Sequence, residues 1–174
     1  MRIGLSPLVT AIAALLTACS TTTAVSVPDV PAALRAPAGQ AVYLEALATG
    51  VQIYECGQKS DGSYEWIFKA PEASLATRAG QPLGRHYAGP TWEATDGSSV
   101  VGEVKAKDPG PVAAAIPWLL LAAKSNSGTG VLGDARSIQR VATSGGIVPK
   151  ERCDAGTLHK VARVPYAASY YFYH

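Results

Sequence analysis

Turn residues recur along this chain at short intervals, and the stretches between them follow the two-residue period of a strand. The 17 glycines and 12 prolines are scattered rather than clustered. No stretch sustains the ~3.6-residue period of an amphipathic helix. Short runs rich in β-branched and aromatic residues, each bounded by such turns, fold as antiparallel sandwiches or barrels.

Residues 51–56 (Val-Gln-Ile-Tyr-Glu-Cys) form one such run, and Asp61-Gly62-Ser63 is the turn after it. In residues 64–69, Tyr64, Trp66 and Phe68 alternate with Glu65, Ile67 and Lys69, which places the three aromatics on one face of a strand. The two runs make a hairpin. Residues 91–94, the turn Asp96-Gly97 and residues 99–105 make a second. Residues 116–123 are continuously apolar; a helix and a fully buried strand both fit, and the short length favours the strand. Residues 112–115 suit one helical turn, and residues 125–130 read as a loop. Residues 137–143 are a strand ended by Gly145-Gly146. In the tail, Tyr170 and Phe172 fall on one face and Tyr171 and Tyr173 on the other, the pattern of a strand covered on both sides. The expectation is a mainly antiparallel all-β fold of about eight short strands, a sandwich or barrel, forming a single domain over residues 41–174.

The first residues carry a different message. Met1-Arg2 precedes an apolar run from Ile3 to Leu16, and Leu16-Thr17-Ala18-Cys19 follows. The run is shorter than the ~20 apolar residues a membrane-spanning helix needs. The order of basic start, apolar core and small residues is that of a secretory signal peptide. A cysteine after the cleavage site resembles the bacterial lipoprotein box. Residues 1–18 therefore read as a leader, Cys19 as the lipidated residue, and residues 19–40 as a tether and lead-in broken by Pro28, Pro31 and Pro37. Acylation would hold the protein on a membrane. Ser20, where inner-membrane lipoproteins carry aspartate, points by resemblance to outer-membrane delivery in the cell envelope.

Lipidation also accounts for the odd cysteine count. Of three cysteines, Cys19 would be acylated, leaving Cys56 and Cys153. In an oxidising compartment these pair as a disulfide; two free buried thiols are the alternative. Charge narrows the partners further. Only 16% of residues are charged, the formal net charge is +2, and basic and acidic residues are interspersed. No basic stripe offers itself to nucleic acid.

The densest chemical cluster is Gly84-Arg85-His86-Tyr87-Ala88-Gly89-Pro90-Thr91-Trp92-Glu93. His86 could serve as a general base, with Glu93 orienting it and Tyr87 donating a proton, as in a hydrolase. The plainer reading is a rigid turn with a hydrogen-bonded histidine. Glu65, Glu93 and Asp96 are further acid candidates, although alternation turns Glu65 to solvent. His159 and His174 are isolated in sequence, and no paired-ligand spacing calls for a metal. No Gly-x-Ser-x-Gly elbow occurs, and the glycines at 128–130 and 144–146 mark turns rather than phosphate loops. No cofactor is expected. Trp66, Trp92 and Trp118, with the tyrosine-rich tail, could line a pocket for a small apolar or sugar-like ligand; serving simply as core is the alternative.

Taken in order, residues 50–56, residues 86–93, Ile116-Pro117-Trp118-Leu119, Ile138-Gln139-Arg140-Val141 with Thr143 and Gly145-Gly146, and residues 164–173 resemble the domain-of-unknown-function family 3455. The resemblance covers most of residues 28–173 and implies an exported single domain, with no activity and no catalytic residue to carry over. Dehydrogenase chemistry lacks its Gly-x-Gly-x-x-Gly and its βαβ rhythm. The functional expectation is a non-enzymatic envelope lipoprotein that binds a small ligand or a partner. The alternatives are a hydrolase-like enzyme using His86, Tyr87 and Glu93, and a purely structural envelope component.

Overall fold

The computed structural model describes residues 25–174. The expected leader (residues 1–18), the expected lipidation residue Cys19 and residues 20–24 lie outside the described residues. Eight antiparallel strands follow one another round a closed barrel: β1 (Val42–Gln58), β2 (Tyr64–Ala76), β3 (Pro82–Tyr87), β4 (Thr91–Ala94), β5 (Ser99–Asp108), β6 (Trp118–Ser127), β7 (Ser137–Gly145) and β8 (Val161–Tyr173). Two short 3-10 turns, Ala32–Leu34 and Ala155–Thr157, are the helical elements among the described residues. Of the two expected architectures the barrel forms. Closure comes from the first and last strands, paired from Val42↔Tyr173 to Glu55↔Val161. That pairing joins the two terminal strands, so neither is left as an open edge to recruit another chain.

The strands are less uniformly short than expected, because bulges let long strands bend round the barrel. The β1–β2 register skips Lys69 between Ile53 and Tyr54, and the β5–β6 register skips Lys105 between Val104 and Ala106. Gly50 lets β1 and β2 close up, since a Cβ there would lie 2.1 Å from the Glu72 carbonyl oxygen. Two boundaries differ from the sequence reading. The strand expected over residues 116–123 starts at Trp118. It also continues through residues 125–127, read as loop, which pair with Ser99–Val101. Those residues are polar and exposed, so hydrophobic pattern says nothing about them. Residues 112–115 close as a hydrogen-bonded turn, with Ala115 N–H donating to the Val112 carbonyl at 3.0 Å, not as a helix.

Two apolar clusters result. The larger fills the barrel and contains Ala46, Ala48, Leu75, Val100, Leu121, Ile138, Tyr170 and Phe172. The smaller lies outside, where Val30 and Leu34 cover Val141, Tyr171 and Tyr173. This explains the two aromatic faces of β8: one points into the barrel, and the other is roofed by the chain ahead of β1. Gln139 Nε2 donates to the Leu34 carbonyl at 2.6 Å, and Tyr173 O–H donates to Gln139 Oε1 at 2.5 Å. The segment read as tether and lead-in is therefore packed fold around Val30 and Leu34, with Leu34 fully buried. Its prolines forbid a helix but not irregular packing.

One end of the barrel carries the β7–β8 connection, residues 146–160. A disulfide joins Cys153 in that loop to Cys56 in β1, 97 positions apart, as the cysteine count indicated. Tyr54 O–H donates to the Gly146 carbonyl at 2.7 Å and Trp66 Nε1–H to the Glu151 carbonyl at 2.8 Å. Asp154 and Thr157 close a reciprocal capping box on the 3-10 turn.

Candidate functional site

The β3–β4 hairpin carries the cluster read as a catalytic candidate, and its pairing divides that cluster. His86 lies opposite Trp92, Arg85 opposite Glu93, and Tyr87 opposite Thr91. Successive side chains alternate between the faces of a sheet. His86 and Trp92 therefore enter the barrel, while Arg85, Tyr87 and Glu93 stay outside. The outer three form a surface network. Tyr87 O–H donates to Glu93 Oε2 at 2.7 Å, and Arg85 Nη2–H donates to Glu93 Oε1 at 2.9 Å. These contacts hold the Glu93 carboxyl below its usual range and push the Tyr87 phenol up. Of the three residues expected to act together, the register brings Tyr87 and Glu93 together on the outer face of the hairpin and places His86 on its inner face.

His86 itself is buried. Its ring stacks on Trp92 at 4.3 Å between centroids and meets Tyr170 edge-on at 5.1 Å. Nδ1 lies 2.8 Å from the Thr91 carbonyl oxygen. A carbonyl only accepts, so Nδ1 carries the proton and Nε2 remains an acceptor. Desolvation lowers its pKa to about 3, so the ring is neutral at any physiological pH.

His86 and Trp92 form part of the wall of a cavity of about 480 Å³. It occupies the half of the barrel nearer the disulfide. Tyr54, Phe68, Ile116, Leu119 and Leu121 supply much of its apolar surface. The way in follows from strand length. β3 pairs with β2 only from Ala73 onward, and β4 reaches β5 only as far as Val101. The upper halves of β2 and β5 therefore have no partner between them, and a window opens in the wall above the β3–β4 turn. Phe68 and Val104 flank it at 50% and 49% exposure, and Gly89 and Pro90 form its sill.

Polar groups are few inside but unusually placed. Gln52 Nε2, Trp92 Nε1 and the Tyr170 hydroxyl belong to cavity-lining residues, are buried, and have no hydrogen-bond partner among the described residues. The hydroxyls of Tyr166 and Tyr170 are neighbours with Arg140 alongside, and neither has a close hydrogen-bond partner among the described residues. Arg140 also lines the cavity; its Nε–H and Nη2–H donate to the Pro117 carbonyl at 3.1 and 2.8 Å. Buried polar atoms in folded proteins are nearly always paired, so several orphans round one void mark a place where a guest or water completes the bonding. Burial pushes the Tyr170 phenol up, keeping it protonated and a donor.

The three tryptophans proposed as ligand contacts separate. Trp92 is in the cavity wall. Trp66 shares the inward face of β2 with Phe68 but lies beyond the cavity, under the β7–β8 loop. Trp118 packs outside the barrel against the cluster of Val30 and Leu34. Among the described residues no group of three or more His, Cys, Asp and Glu side chains is placed to hold a metal ion. The acid candidate Asp96 is a turn-builder, accepting from Ser98 and from the Val131 N–H, and Glu65 pairs with Lys59 at the surface.

A family model described as a protein of unknown function (DUF3455) matches residues 37–174. The chain belongs to this family. The match begins within the lead-in segment and runs to the last residue, so it spans the whole barrel and cavity. No curated protein and no solved structure matches the chain.

Gln52 and Arg140 did not emerge from sequence reasoning. A signal was present for each. Gln52 is in phase with Ala46, Ala48 and Tyr54, and Arg140 with Ile138: polar residues at core-facing positions of a strand.

Proposed function

We propose that this protein is an exported, lipid-anchored binding protein of the cell envelope that holds one small, mainly apolar ligand inside its barrel. The observation that carries this reading is the cavity: about 480 Å³, apolar-walled, open through a window between β2 and β5, with buried donors that lack partners on residues of its wall. Eight-stranded barrels have an interior that either fills with side chains or holds one small ligand; this one is filled at one end and hollow at the other. The volume is in the usual range for ligand sites. Phe68 and Val104 give the window an exposed apolar rim that an apolar guest would cross. No step of chemistry is invoked, since His86 is neutral and buried and its supposed partners are on the other face. A purely structural role leaves the orphan donors without a purpose.

The anchor part of the proposal rests on residues 1–19. Metabolic labelling with a radioactive fatty acid should mark the wild-type chain, and Cys19→Ala should abolish both the label and membrane association. A Cys19→Ala chain that stays in the membrane fraction would overturn the anchor.

The binding part is tested with Trp92 as the reporter. The full chain carrying Trp66→Phe and Trp118→Phe, reconstituted in phosphatidylcholine vesicles, is titrated with brominated decanol as a quencher. Quenching of Trp92 that saturates at one quencher per chain is expected. Quenching that only rises linearly with the quencher dissolved in lipid would sink the reading.

A further inference from the structure

The polar inventory of the cavity is lopsided, and its bias specifies the guest. Residues of its wall carry buried donors: the Gln52 amide and the Trp92 indole, without a hydrogen-bond partner among the described residues, and the Tyr170 hydroxyl, which lies beside the Arg140 guanidinium and the Tyr166 hydroxyl. Two cations line it as well, Lys69, which is ion-paired to Glu55, and Arg140, which has no carboxylate partner among the described residues. Arg140 directs two of its nitrogens to one neutral carbonyl, which leaves N–H groups of the guanidinium over. Against these stand two neutral acceptors, His86 Nε2 and Gln52 Oε1. No Asp or Glu lines the cavity. Every aspartate and glutamate ion-paired among the described residues is paired to a cation other than Arg140. A half-buried guanidinium without a carboxylate is costly, and so is each buried donor without an acceptor.

A single anionic group with two acceptor oxygens meets all these demands at once. Resting on the binding function proposed above, we infer that the ligand is an amphiphile with a carboxylate head, held by Arg140 with Tyr170, Gln52 and Trp92, and an apolar body lying against Phe68, Leu119 and Leu121. Strand pairing supports the geometry: Arg140 and Tyr170 are directly opposite across β7 and β8, and Leu119 is opposite Arg140 across β6 and β7. The cationic anchor and the tyrosine thus come from adjacent strands, and the apolar wall begins one strand further on. A planar guanidinium is suited to a carboxylate because it can donate to both oxygens together.

The test uses the single-tryptophan full chain in phosphatidylcholine vesicles. It is titrated at neutral pH with decanoate, decanol and decyltrimethylammonium, with concentrations counted in the lipid phase. Decanoate should bind about tenfold or more tightly than decanol, as expected where hydrogen bonds to a charged group are gained, and the ammonium should not compete. Arg140→Gln should bring decanoate down to the affinity that decanol shows for the same variant. Tyr170→Phe, which removes one oxygen only, should cost decanoate a few-fold more than it costs decanol. Should Arg140→Gln fail to fold, as judged by circular dichroism, Tyr170→Phe decides. Decanol binding as tightly as decanoate, or a decanoate preference that both variants retain, overturns the carboxylate assignment while the binding function stands. Saturable binding by none of the three probes removes both.

Discussion

At His86 the fold takes an imidazole out of water and gives it one carbonyl and two aromatic faces. With a folded pKa of about 3 against 6.5 for the free side chain, the unfolded chain binds the extra proton throughout the interval between them. Stability contributed by this residue is therefore complete above pH ~6.5 and is lost as pH falls toward about 3, at up to about 1.4 kcal/mol per pH unit. Urea unfolding midpoints should decline across that window in the wild type and decline less in His86→Gln. A second consequence of the stack concerns Gly102. A Cβ there would lie 2.9 Å from the Trp92 ring and 3.0 Å from a Leu121 methyl. Gly102→Ala should push the indole into the cavity, cost about 1–3 kcal/mol, and shift the emission of Trp92. His86 and Trp92 stood out in the sequence as members of one dense cluster, but their roles were not legible there. Nothing in the string His-Tyr-Ala-Gly-Pro-Thr-Trp-Glu says which side chains a hairpin sends inward until the pairing register is known.

Among the elements, the segment ahead of β1 and the β7–β8 loop hold the two surfaces that strand alternation leaves uncovered. Leu34 is fully buried on Val141, Tyr171 and Tyr173. Leu34→Ala should cost about 2–5 kcal/mol, a loss of thermal midpoint far larger than a flexible tether would show. The loop is pinned by the disulfide and by the bonds from Tyr54 and Trp66. Replacing Cys56 and Cys153 together by serine should lower stability by about 2–5 kcal/mol, and proteolysis of that variant should begin within residues 146–160. Strand positions were readable because turns and alternation are local properties. The packing of Val30 and Leu34 was not, because a pair of apolar residues among prolines gains its meaning only from the aromatic face it covers, more than 100 positions away in the case of Leu34 and Gln139.

The whole barrel depends on β1 meeting β8, the most distant pairing the chain can make. Such non-local closure slows folding, as in other β-rich folds, to the millisecond-to-second range. Stopped-flow refolding of the disulfide-intact chain should show this. Ending the chain before Val161 should leave β1 and β7 as open edges and yield aggregate rather than a smaller soluble barrel. By itself the sequence determined the all-β class, the approximate number of strands and the pairing of Cys56 with Cys153, because each depends on a local pattern or on simple counting; the proposed leader and the role of Cys19 come from a local pattern of the same kind. Only the tertiary structure decided that the sheet closes, that His86 and Glu93 face opposite ways, and that Gln52, Arg140 and Tyr170 share one cavity. Those facts depend on register and bulges, where a shift of one residue moves a side chain from the interior to the surface.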